Sequence, residues 1–137
     1  MSKVYCLLNH ELTNNQILEL KEKYGASDII YPPKEVSASW SQIPAIETLD
    51  MTTIKQVVSW LKAACTDDLF IIQGEFGSTF MLVDYALRRH MIPLHAVTKR
   101  IETEEVEGET VKRHYEFKHV CFRKYCYSNI ISTSKRL

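Results

Sequence analysis

Leu69-Phe70-Ile71-Ile72-Gln73-Gly74-Glu75-Phe76-Gly77-Ser78-Thr79 is the stretch whose reading decides the fold. An apolar run passes straight into a loop with two glycines, and Phe80-Met81-Leu82-Val83 follows. A strand covered by helices on both sides reads as an unbroken apolar run, because neither face meets water. Glycine admits positive φ and lets a ligand approach the backbone. A helix N-terminus presents unpaired N–H groups and partial positive charge, which suits an anion. The segment therefore reads as a buried strand, a tight turn and a helix beginning at Thr79. It places a phosphate or nucleotide site at the carboxyl end of the strand. The plainer alternative is an ordinary strand-to-helix connection with a Ser/Thr cap.

Working outward, Lys3-Val4-Tyr5-Cys6-Leu7-Leu8 is a second apolar run and the first central strand. Beyond Asn9-His10-Glu11, Thr13 and Gln16 have capping-box spacing, and Leu12 and Ile17 that of a hydrophobic staple. They predict a helix from Asn14 to Tyr24, stopped by Gly25. Asp28-Ile29-Ile30-Tyr31 reads as a short strand ended by Pro32-Pro33, since proline has no N–H for a ladder. Lys34 to Trp40 reads as a short helix with Pro33 at its first position. Residues 41–49 read as irregular. Asp50 then caps an amphipathic helix from Met51 to Ala64, marked by Ile54, Val57, Val58 and Leu61. Leu94-His95-Ala96-Val97-Thr98 is a fourth strand. Strands alternating with helices imply an α/β fold, a mostly parallel sheet with helices on both faces.

From Lys99 to Tyr125 the pattern changes to alternation around Gly108, which predicts a C-terminal antiparallel β-hairpin. A two-residue Gly108-Glu109 turn of type II′ sets Glu105 against Lys112, Glu104 against Arg113 and Val106 against Val111. The alternation slips between Phe117 and Val120, so a bulge is expected near Lys118-His119. Residues 1–125 form one domain, with the hairpin at 99–125, and residues 126–137 read as a tail.

The 137 residues are 45% apolar and 25% charged, with 17 Lys and Arg against 17 Asp and Glu. Zero net charge argues against binding of long nucleic acid, which needs a broad positive field. No apolar run approaches the roughly 20 residues of a membrane span, and the N-terminus is too short in apolar residues for a secretory signal. A cytoplasmic protein without membrane partners is expected. The four cysteines, Cys6, Cys65, Cys121 and Cys126, make no C-x-x-C pair and read as reduced, mostly buried thiols. No metal and no cofactor are expected: a Walker ending and a G-x-G-x-x-G fingerprint are both missing.

In an open α/β sheet, ligands bind beyond the carboxyl ends of the strands. That rule gathers Asn9-His10, Tyr31 to Lys34, Gln73 to Thr79 and Thr98-Lys99-Arg100, with His119 and Arg123-Lys124 at the rim. Cations and hydroxyls outnumber carboxylates there, which suits a polyanion. Each cluster also has an ordinary reading as turn residues or solvated strand ends.

The chain resembles the small stand-alone ring nucleases of type III CRISPR systems, relatives of the CRISPR-associated Rossmann fold. The likeness rests on residues 4–13, Gln73-Gly74-Glu75-Phe76-Gly77-Ser78-Thr79, Thr98-Lys99-Arg100, and Phe117-Lys118-His119-Val120-Cys121-Phe122-Arg123-Lys124-Tyr125. It implies a Rossmann-like fold, a homodimer, and cyclic oligoadenylate, a cyclic tetraadenylate above all, lying across the two-fold axis. The implied reaction is metal-independent: the ribose 2′-OH attacks the adjacent phosphorus, leaving a linear product with a 2′,3′-cyclic phosphate. On this reading His10 transfers the proton, because imidazole titrates near neutral pH, and His119 stands in reserve. Lys99 and Arg100 stabilise phosphoryl charge. Asn9, Gln73, Gly74, Glu75, Phe76, Gly77, Ser78, Thr79, Thr98, His119 and Arg123 line the ligand. The alternatives are a sensor or sponge that captures the same messenger uncut, and a protein-interaction module using the charged hairpin.

Overall fold

A computed structural model describes residues 2–128. The order of elements is β1 (Ser2–Leu7), α1 (Asn14–Tyr24), β2 (Ala26–Ile30), α2 (Lys34–Ser41), α3 (Met51–Leu61), β3 (Leu69–Ile72), α4 (Phe76–Arg88), β4 (Ile92–Glu107) and β5 (Thr110–Lys124). The strands form one five-stranded sheet in the order β2-β1-β3-β4-β5. The first three pairings are parallel, and β4–β5 is antiparallel. The fold is thus α/β, a mostly parallel sheet carrying a C-terminal hairpin.

Helices cover both faces, as the unbroken apolar runs of β1 and β3 require. Tyr5, Leu7, Phe70 and Ile72 point to α2, α3 and α4, where Trp40, Val57, Leu61 and Leu82 complete one core. Val4, Cys6, Leu69, Ile71 and Leu94 point the other way, to Leu20 of α1 and Phe122 of β5. Trp60 meets Tyr5 and Phe70 edge-on, with ring centroids 5.4 and 6.5 Å away, so its position off the helical stripe serves the core. The Arg89 guanidinium caps α3 by donating to the Leu61 and Ala64 carbonyls at 3.2 and 2.8 Å.

Local devices act where the side chains dictate. Thr13 and Gln16 close the capping box of α1, and Gly25 ends it at φ 65°. Asp50 caps α3 through the Thr52 N–H. The hairpin register is the one that the charges and the glycine turn imply: Glu105 faces Lys112, Glu104 faces Arg113, and Val106 faces Val111. The slip in alternation is a bulge at Val120, since Val97 faces Cys121 while Thr98 faces His119.

Several expectations need correction. The fourth strand and the first hairpin arm are one strand of 16 residues, because nothing between Thr98 and Lys99 breaks the chain. α4 begins at Phe76 rather than Thr79, with Glu75 as its cap. α3 ends at Leu61 rather than Ala64, and Pro33 caps α2 instead of opening it. Of the thiols only Cys6 is buried; Cys65 and Cys126 are exposed, and Cys121 is intermediate. Tyr125, at the end of the domain, is anchored: its N–H donates to the Pro93 carbonyl at 2.9 Å and its hydroxyl to the Ile72 carbonyl at 3.0 Å. The expected tail lies outside the described residues from position 129 onward.

Candidate functional site at the carboxyl edge

β1 feeds α1 on one face, and β3 feeds α4 on the other. Strand order reverses between them, so the loops after β1 and β3 diverge and leave a switch point, where open α/β sheets bind ligands. This chain fills the middle of that crevice with an indole. The Trp40 Nε1–H donates to the Gln73 carbonyl at 3.0 Å, and the ring lies against Gly74. A Cβ on Gly74 would stand 2.5 Å from the Trp40 ring, so glycine there serves close packing. Gln73 is engaged at its other end too, its Oε1 accepting from the Ala96 N–H at 2.8 Å. It ties β3 to β4 where their ladder ends.

To one side of Trp40 lies a cavity of about 350 Å³, lined by Asn9, His10 and Glu11, by Tyr31 and Pro32, and by Ser37 and Ser41 of α2. The His10 ring stands at its mouth with Nδ1 2.9 Å from the Glu11 carbonyl. A carbonyl only accepts, so this contact assigns the hydrogen to Nδ1 and leaves the Nε2 lone pair of the neutral ring free. Tyr31 is held by the Leu12 N–H, which donates to its hydroxyl at 3.3 Å. Ser37 and Ser41 were missed from the sequence. Their signal was two hydroxyls four residues apart on a helix whose other face, Val36 and Trp40, is buried.

To the other side is the glycine loop, and here the anion site is already occupied. The Glu75 carboxylate accepts from the Gly77 and Ser78 N–H groups and from the Ser78 hydroxyl, the last at 3.2 Å. The Thr79 N–H donates to the Glu75 carbonyl at 2.9 Å. The helix therefore caps itself with its own carboxylate. A phosphate at these N–H groups would have to displace a like charge. Ser78 is fully buried. Phe76 is the opposite case, 93% exposed on the first turn of α4, with Phe80 outward below it. The helix start thus buries one face, at Ser78 and Leu82, and leaves Phe76 and Phe80 to solvent.

The remaining site residues lie on the hairpin, and the pleat separates them. Leu94 and Ala96 pack on the α1 side, so Thr98 and Arg100 share that side and Lys99 faces the α4 side. The Arg100 guanidinium lies over the Tyr115 ring at 4.0 Å. Lys99 stands directly opposite Lys118. Like charges on one rung oppose each other unless an anion comes between them. Arg123 pairs with His95 near the base of the hairpin. His119 stands opposite Thr98, with its ring turned to α1. Its Nε2 is 2.7 Å from Glu19 and its Nδ1 3.2 Å from the Gln16 amide, both on α1. Glu19 also accepts from the Phe122 N–H at 2.8 Å, so this cluster fastens β5 to α1. Among the described residues, no three His, Cys, Asp or Glu side chains converge as a metal site would require. No helix of the described residues is long and apolar enough to cross a membrane.

Comparison with known proteins gives a family. The Uncharacterized protein MJ1673 family matches over residues 2–123, a span that includes every strand but the last residue of β5. A protein of Methanocaldococcus jannaschii described as Uncharacterized protein MJ1673 is 36% identical over 103 residues, 74% of this chain and 79% of its own. No solved structure matches the chain.

Proposed function

This chain belongs to the Uncharacterized protein MJ1673 family, and we propose that it is a ring nuclease that opens cyclic oligoadenylate, cyclic tetraadenylate in particular. Its role would be to switch off the type III CRISPR response in the cytoplasm, working as a homodimer. The observation that carries this reading is His10, with a free Nε2 at the mouth of a hydroxyl-lined cavity beside the strand-order switch point. The resemblance to ring nucleases described above supplies the reaction class.

In the proposed reaction the His10 Nε2 takes the proton from a ribose 2′-OH. The freed oxygen bonds to the adjacent phosphorus, the bond from phosphorus to the 5′-oxygen breaks, and that oxygen takes up a proton. The product ends in a 2′,3′-cyclic phosphate. Alignment of sugar and phosphate supplies most of the acceleration. Asn9, Tyr31, Ser37 and Ser41 supply donors and acceptors for a ribose, and Lys99, with Lys118 beside it, supplies charge for the phosphoryl oxygens. The glycine loop acts as a wall held shut by Glu75.

The test is incubation of the purified protein with labelled cyclic tetraadenylate in the presence of EDTA. Linear product supports the nuclease. Intact ring recovered in complex supports the second reading, a sponge, which the same donors and cations favour. Absence of binding refutes both. Lys99→Ala is expected to weaken binding about tenfold at low ionic strength and less at high salt.

A further inference from the structure

The β4–β5 hairpin leaves the body of the protein. The last rung between β3 and β4 joins Ile71 and Leu94, yet β4 continues to Glu107. The ribbon beyond is roughly 44 Å long at about 3.4 Å per residue. A two-stranded ribbon on its own is marginally stable in water, and needs a third strand or a covered apolar face.

The register shows which face that is. On the α1 side the rungs beyond the body are Arg100 with Phe117, Glu102 with Tyr115, Glu104 with Arg113, and Val106 with Val111. The opposite side carries Lys99, Ile101, Thr103, Glu105 and Glu107 against Lys118, Glu116, His114, Lys112 and Thr110, nearly all polar. Phe117, 72% exposed, and Tyr115 at the base, with Val106 and Val111 at the tip, are thus the exposed apolar side chains of this face, and the Glu104–Arg113 rung lies between the two groups. Three of the four charges on the face form one cluster, and the fourth lies on an aromatic ring. Arg113 lies 3.6 and 3.4 Å from Glu102 and Glu104, and Arg100 stacks on Tyr115. Covering this face keeps Arg113 with its two carboxylates and Arg100 on the Tyr115 ring.

We propose that this face of the hairpin packs against the same face of a second copy of the chain, with the two hairpins antiparallel across a two-fold axis. Three features select that occupant. The face has an aromatic end at its base and an aliphatic end at its tip, so reversal sets Phe117 of each copy on the Val106–Val111 pair of the other. Its charges, two Arg against two Glu, sum to zero, so identical faces do not repel. Pairing through the edges is disfavoured, because β4 would align its Glu-rich arm, and β5 its Lys- and Arg-rich arm, with the same charges in the partner. The antiparallel direction follows from α1, which covers the base of this face through Glu19 and His119 and leaves no room for a second α1 there.

The inference does not depend on the nucleotide reading. Its test is sedimentation of the full chain across micromolar concentrations. The wild type is expected to be a dimer. Phe117→Glu and Val111→Glu are each expected to weaken association at least tenfold with an unchanged far-ultraviolet spectrum, and Thr103→Glu on the polar face is expected to leave it unchanged. Should Phe117→Glu fail to fold, Val111→Glu at the exposed tip decides alone. A monomeric wild type, or a dimer equally tight in both glutamate variants, overturns the inference. A dimer dissociated by these changes upholds it even where cyclic tetraadenylate is neither bound nor cut.

Discussion

Glu75 shows how one side chain can redirect the reading of a loop. Its position before Phe76-Gly77-Ser78 looks like the rim of an anion site, but its carboxylate turns inward and takes the N–H groups that an anion would use. Glu75→Gln keeps the shape and removes the charge. It is expected to destabilise the protein by about 1 kcal/mol in denaturant titration, the usual scale for loss of an N-cap. It is also expected to leave cyclic tetraadenylate affinity within twofold. A large gain in affinity would mean that the phosphate does reach the helix. Cys6 presents a different residue-scale effect. Burial alone pushes its thiol up from 9.0 to about 12. Between those values the unfolded chain loses a proton that the folded chain keeps. Stability from this group is therefore full below pH 9.0 and declines as pH rises toward about 12. Cys6→Ala is expected to flatten that part of the stability profile, measured by urea unfolding at successive pH values; equal slopes would count against it.

At the scale of elements, most boundaries were legible because each has a local chemical signal. Thr13 with Gln16, Gly25, Asp50 and Gly108 act within a few residues of themselves, so the sequence displays them. Two features that the local signals do not display have non-local causes. β4 looked like two pieces because its first part lies in a buried sheet and its second in solvent, and composition changes where the environment does. The bonds that hold the His119 ring are not visible in the sequence because its partners, Gln16 and Glu19, are about a hundred positions away. That cluster makes a prediction. His119→Ala leaves Glu19 without its imidazole and is expected to cost about 1–3 kcal/mol. Faster hydrogen exchange is expected in the amides at the base of β5 while those of β3 keep their protection. Uniform acceleration across the sheet would show a global rather than a local role. Gly74→Ala tests the other non-local contact. The added methyl meets the Trp40 ring, and a loss of about 1–3 kcal/mol is expected from overpacking in thermal unfolding. Wild-type stability would show that the indole can yield.

For the molecule as a whole, the alternation of strands and helices was enough to predict the parallel sheet, and the carboxyl-edge rule enough to bring Asn9-His10 to it. What alternation does not reveal is occupancy. Trp40 divides the crevice, the Glu75 carboxylate takes N–H groups of the glycine loop, and the pleat turns Lys99 and Arg100 to opposite faces, so a cluster that reads as single in the sequence is spread over different surroundings. The proposed nuclease must then work from the His10 side of Trp40. Single-turnover cleavage of cyclic tetraadenylate with EDTA present, run on wild type and His10→Ala side by side with mass analysis of the product ends, tests this most directly. The account predicts linear product ending in 2′,3′-cyclic phosphate from the wild type, and a rate at least about 100-fold lower in the variant with affinity unchanged. An intact ring with the wild type, or equal rates in both proteins, would contradict it.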